Sequence, residues 1–126
     1  KEILKKNGEV ADIGETIATF NYVQGDTGPQ LRLTFTDEDT NTATDLTGAT
    51  VKMHFRASGA TSVLYSKTLY INPGTPTLGI ALVNWATGDL DHDAGTYYGE
   101  IEVTKASGQI ETIYDTIRFN LREDFA

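Results

Sequence analysis

The chain has 126 residues, a net charge of −8, twelve glycines, three prolines and no cysteine, which fits one domain with a core large enough to stand without staples. The missing cysteines exclude disulfide scaffolds, thiolate catalysis, zinc knuckles and iron–sulfur sites. The acidic balance disfavours nucleic acid and anionic membrane as partners, and no apolar stretch reaches the ~20 residues of a membrane-spanning helix.

Residues 1–15 carry both lysines and acids and lack the apolar core of a signal peptide. They read as a polar N-terminal arm outside the core. Its best helical stretch, Glu2 to Lys6, is ended early by Asn7-Gly8. Lys1, Lys5 and Lys6 make the arm basic beside an acidic remainder, which marks them as candidate interaction residues.

From residue 16 to 122 the pattern is that of strands. Threonine, valine, isoleucine and tyrosine are used heavily, and alternation recurs in short windows. Ile17 to Val23 is a first strand of unassigned face. In Gln30 to Thr36, Leu31, Leu33 and Phe35 share one face. In Val51 to Arg56, Val51, Met53 and Phe55 oppose Lys52, His54 and Arg56. Val63 to Ile71 mixes its faces, which suggests a bulge near Lys67. Leu78 to Trp85 is apolar almost throughout and suits a central strand, with Trp85 in the core at its end. Tyr97 to Thr104 sets Tyr97, Gly99, Ile101 and Val103 against Tyr98, Glu100, Glu102 and Thr104. Ile113 to Leu121 turns Ile113, Ile117, Phe119 and Leu121 inward. Turn-forming clusters separate these runs, and Ala106-Ser107-Gly108 reads as a tight hairpin. About seven strands at this spacing predict an all-β sandwich over residues 16–122, with 123–126 as a short tail.

Asp93-Ala94-Gly95-Thr96-Tyr97 resembles the tyrosine corner of immunoglobulin-like sandwiches, in which a tyrosine hydroxyl bonds back to nearby backbone. Asp93, Gly95 and Tyr97 are the matching residues. Antibody domains place a cysteine where this chain has Gly99, so the resemblance implies the sandwich without its disulfide. A small residue there leaves room for a bulky neighbour such as Trp85.

A second motif supports a narrower resemblance. In Asp45-Leu46-Thr47-Gly48-Ala49-Thr50-Val51, Leu46 is placed to anchor a loop on the core, Thr47-Gly48 to turn the chain, and Ala49 onward to start a strand. With the upstream loop Gly25-Asp26-Thr27-Gly28-Pro29 and the later corner, this order is similar to the N-terminal domain of phage baseplate upper proteins, across roughly residues 17–121. Members often continue into a C-terminal fibre or coiled coil beyond the stretch covered by this sequence. The resemblance implies an immunoglobulin-like domain that serves as a structural virion protein of a tailed phage, an adaptor in the tail, baseplate, neck or fibre attachment. The expected partners are other phage structural proteins and copies of itself in a symmetric assembly, and the expected location is the virion.

No catalytic set is apparent. Asp37, Asp39 and Asn41 begin a calcium-loop spacing, but Thr42 and Gly48 stand where glycine and a bidentate acid are required. A solvated loop is the simpler reading. Asp89, Asp91 and Asp93 suit turns and caps. His92 lies between acids but lacks a nucleophile partner, and none of the four serines sits at a strand-to-helix elbow. No enzyme, metal or other cofactor is therefore expected. The alternative function is a carbohydrate- or receptor-binding module that uses aromatics drawn from Trp85, Tyr65, Tyr70, Tyr98 and Tyr114. Tyr98 and Tyr114 are read as outward and as candidate cross-strand neighbours, which also makes them candidate interaction residues.

Overall fold

A computed structural model describes the backbone of residues 2–6, 9–10, 18–37 and 42–125, and the side chains of 19–36, 42–112 and 116–125. Two five-stranded sheets form an immunoglobulin-like β-sandwich. Sheet A contains β1 (Glu2–Lys6), β2 (Glu9–Val10), β4 (Leu31–Asp37), β5 (Thr42–Ala43) and β8 (Ile80–Val83). Sheet B runs in the order β3 (Ala18–Val23), β10 (Ile110–Arg122), β9 (Gly95–Thr104), β6 (Thr50–Ala57), β7 (Tyr65–Thr68). Among the described side chains the alternating runs behave as their periodicity predicts, and the Ile113 side chain lies outside the described set. Leu31, Leu33 and Phe35 of β4, with Ala81 and Val83 of β8, face Val51, Met53, Phe55, Ile101, Val103, Ile117 and Phe119 from sheet B. Alternation produces this because successive side chains leave opposite sides of the pleat.

The β9–β10 hairpin closes across Ala106-Ser107-Gly108, with Lys105 N–H on the Gln109 carbonyl and Gly108 N–H on the Lys105 carbonyl, both at 2.8 Å. At the far side β3 joins β10 in parallel, from Ala18 opposite Ile117 to Val23 opposite Arg122.

Three sequence expectations change. Glu2–Lys6 is a strand, paired antiparallel with β4 from Glu2 opposite Asp37 to Lys6 opposite Leu33. Five residues are too few to repay helix nucleation, and one edge of β4 supplies backbone partners instead. This part of residues 1–15 is therefore a strand of sheet A, while residues 11–15 lie outside the described set. The mixed faces of Val63 to Ile71 reflect a change of sheet. Residues 65–68 pair with β6, Leu69 still donates to Val51, and Tyr70 then bridges to Leu82 of sheet A. Finally, β8 covers four residues between β4 and the single Tyr70 bridge, so it is a short inner strand and the apolar run continues beyond it.

Aromatic rings fill the middle of the sandwich. The Phe55 ring lies 4.9 Å from Tyr65, 5.1 Å from Tyr97 and 5.4 Å from Phe119. Trp85 is buried in the core and meets Phe119 edge-on at 5.6 Å and Tyr22 at 5.2 Å. The space left by Gly99 is taken by Met53 and Phe119 instead of Trp85. A Cβ on Gly99 would come within 2.8 Å of the Met53 sulfur and 3.0 Å of Phe119.

Candidate functional site

The tyrosine corner forms as its residues imply. The Tyr97 hydroxyl donates to the Asp93 carbonyl at 2.6 Å, and Gly95 opens β9. Burial raises the Tyr97 pKa, with the Asp93 charge adding to it. The preceding loop is tied at several points. Asp89 accepts from the Ala86 N–H and pairs with Lys67, both at 2.7 Å. The Tyr65 hydroxyl donates to the Asp89 carbonyl at 2.9 Å, and Gln24 donates to the His92 carbonyl at 2.9 Å. The His92 ring stacks on Tyr65 at 5.9 Å. Asp89 is therefore a turn and ion-pair residue. Its partner Lys67 could not be read from the sequence, because it comes from a strand more than twenty positions away. Tyr97→Phe should lower stability by about 1 kcal/mol, the usual net worth of one hydrogen bond, read as a lower urea midpoint.

The Asp45-Leu46-Thr47-Gly48 motif is also structural. Asp45 accepts from the Thr47 N–H at 2.9 Å and from its hydroxyl at 2.5 Å. Those two bonds hold its carboxyl below the ordinary carboxylate range. Leu46 is buried, and Gly48 takes φ +70°, which suits glycine. Because the folded pKa is depressed, this contribution is present above the unfolded value, near 4, and is lost as pH falls through the folded value. Wild type should exceed Asp45→Asn in urea midpoint at pH 7, and the gap should narrow progressively as pH falls below about 4.

Lys5 and Lys6 lie in β1, with side chains outside the described set, and Lys1 is outside it altogether. Tyr98 is on the outer face of sheet B as predicted, half-buried. Its cross-strand neighbours are Arg118 on β10 and Arg56 on β6, not Tyr114. The β9–β10 register shifts between Thr112 and Thr116, so counting back from the hairpin misplaces the pairing. The Tyr114 side chain is outside the described set, as are residues 38–41 of the calcium-like spacing. The other aromatics do not gather into one patch. Tyr65 stacks on Phe55, Trp85 is in the core, and Tyr70 is exposed where it bridges to β8.

The outer face of sheet B is the charged surface that sequence reasoning passed over. The Arg56 guanidinium lies over the Tyr98 ring at 5.5 Å. His54 pairs with the Ser66 hydroxyl at 2.6 Å, and its other ring nitrogen is 3.5 Å from Glu102. Asn120 donates to Asn21 and accepts from Thr96, each at 3.3 Å. The signal was present in the polar halves of the alternating strands, but their neighbours were not. Among the described residues no group of three or more His, Asp or Glu side chains is placed to hold a metal.

No protein-family model and no curated protein sequence matches the chain. Among solved structures, CopC from Methylosinus trichosporium OB3b covers all of this chain and 98% of its own, with a TM-score of 0.53 and 9% identity. The soluble domain of PmoD from Methylocystis sp. ATCC 49242 covers 81% of this chain and 77% of its own, at TM-score 0.40 and 14% identity. Murine CRIg covers 98% of each chain, at TM-score 0.41 and 13% identity. The likeness to CopC is one of fold. The class defined here is an all-β, immunoglobulin-like sandwich whose recognisable motifs are structural.

Proposed function

We propose that this chain is a non-catalytic assembly domain of a tailed-phage virion, an adaptor in the tail, baseplate, neck or fibre attachment that works beside other phage structural proteins and in copies of itself. The reading originates in the resemblance of Asp45-Leu46-Thr47-Gly48 and its flanking motifs to the baseplate upper protein domain. One observation carries it further. The central residues of that resemblance do scaffold work: Asp45 closes a turn, Leu46 enters the core, Gly48 takes a left-handed turn position and Tyr97 ties the corner. Nothing in them calls for a substrate. The sugar-binding alternative is weaker, because the described tyrosines proposed for it are dispersed between the core and two sheets.

An adaptor needs a stable body and surfaces that dock. The packed aromatic core supplies the first, and the polar outer face of sheet B is suited to the second. The test is to purify particles of the encoding phage on a density gradient and quantify the chain by mass spectrometry. Stoichiometric co-sedimentation is expected, and labelled electron microscopy would then locate it. Recovery only with free soluble protein would refute the reading.

A further inference from the structure

Among the described residues, the outer face of sheet B carries charges of both signs that have no ion-pair partner. Tyr98 stands at its centre, with Arg56 and Arg118 directly opposite on the flanking strands. Arg56 also donates to the carbonyls of Ala57 and Ala60. The Nε of Arg118 is buried and has no hydrogen-bond partner. Among the described residues, neither guanidinium has a carboxylate within 4.0 Å. Glu100, the next outward position along β9, is exposed and also lacks an ion pair among the described residues. The neighbouring described groups toward β7 are engaged or balanced. His54 and Ser66 pair, Glu102 faces His54, and Lys52 stands opposite Glu102.

We propose that this face binds the same face of a second copy, about a two-fold axis that places Glu100 of each copy between Arg56 and Arg118 of the other. A two-fold interface must be self-complementary. Outward positions two residues apart on a strand are separated by about 7 Å. An axis lying in the interface plane, across the strands and midway between the rows of Tyr98 and Glu100, exchanges those rows. Glu100 of one copy then lies over Tyr98 of the other, with a guanidinium about 4.8 Å to either side, one strand spacing away. Arginine suits this role, since its planar fork matches a carboxylate and tolerates desolvation. An axis along the strands would instead set the arginine row against itself, which like-charge repulsion disfavours. The Asn21–Asn120–Thr96 ladder borders the arginine row and provides the polar rim that such interfaces carry.

The proposal builds on the assembly reading by naming the surface between copies. It is tested on the intact chain by sedimentation velocity over a concentration series at low and high salt. A dimer is expected, weakened by salt. Glu100→Arg and Arg118→Glu should each weaken it at least about tenfold, the order expected for losing a close interfacial charge pair. Mixed in equal amounts, the two variants should restore a heterodimer, because each then supplies the sign the other lacks. Glu100→Gln serves as a milder variant without added charge and should also weaken the dimer, and circular dichroism checks that every variant is folded. A wild-type chain monomeric throughout the series would overturn the proposal, as would a dimer insensitive to these changes or a folded mixture that stays monomeric. Co-sedimentation with particles by a chain that is monomeric alone would overturn this proposal and leave the assembly reading standing.

Discussion

Phe55→Ala is expected to lower the unfolding free energy by about 4 kcal/mol, within the range for removing a large core aromatic. Phe55 is 1% exposed and makes ring contacts with Tyr65, Trp85, His92, Tyr97 and Phe119. These neighbours come from β7, β9, β10 and the loop between β8 and β9. Truncation therefore leaves a cavity bounded by several separate elements, and no single side chain can collapse into it. Aromatic packing adds about 0.5–1.5 kcal/mol per well-oriented pair beyond burial, which lifts the expectation above the lower end of the range. Urea denaturation of wild type and variant checks it. Phe125→Ala is the control: that residue is 86% exposed and its substitution should stay within about 0.5 kcal/mol. A Phe55→Ala loss below about 2 kcal/mol would show that the aromatic cluster can repack.

Among the described glycines, Gly79→Ala should be the most damaging single-methyl addition, costing about 3 kcal/mol from left-handed strain and overpacking together. Gly79 follows the short 3-10 turn Pro76–Leu78 at φ +69°, a conformation that an L side chain rarely adopts. Space is the second obstacle. A Cβ there would lie 2.6 Å from the Phe35 carbonyl oxygen and 3.0 and 3.1 Å from the Thr44 backbone. These are main-chain atoms and cannot rotate away. They also belong to the join between β4, β5 and β8, where Phe35 N–H donates to the Gly79 carbonyl at 2.7 Å and Thr44 N–H to the Phe35 carbonyl at 3.0 Å. Relief would pull that junction apart. Gly25 separates the two costs. It sits at φ +77° with nothing within 4 Å of the place a methyl would occupy, so Gly25→Ala carries only the conformational part, about 1 kcal/mol. Equal losses at the two positions in urea denaturation would mean that the β4–β8 junction yields freely.

Much of this fold can be read from one strand at a time. Leu31, Leu33 and Phe35, Val51, Met53 and Phe55, and Ile117, Phe119 and Leu121 point inward because a two-residue period assigns faces without reference to any neighbour. Asp45, Thr47 and Gly48 declare a turn, and Asp93, Gly95 and Tyr97 declare the corner, because each motif closes its hydrogen bonds within four residues. These interactions are local, and local chemistry is written in adjacent letters.

What required the tertiary structure is everything that depends on which strand lies beside which. Glu2–Lys6 becomes a strand only because an edge of β4 is there to receive it. Gly99 is filled by Met53 and Phe119 because β6 and β10 flank β9. Lys67 meets Asp89, and Tyr98 meets Arg56 and Arg118, through pairings that no periodicity encodes. The β9–β10 irregularity between Thr112 and Thr116 alters the register that a simple count from the hairpin would predict. Adjacent residues were enough for the faces of the alternating strands, the turns and the corner. The tertiary structure decided the neighbours, and with them the charge pattern of the outer sheet, because hydrogen-bonded register between distant segments is a property of their pairing and not of either segment alone.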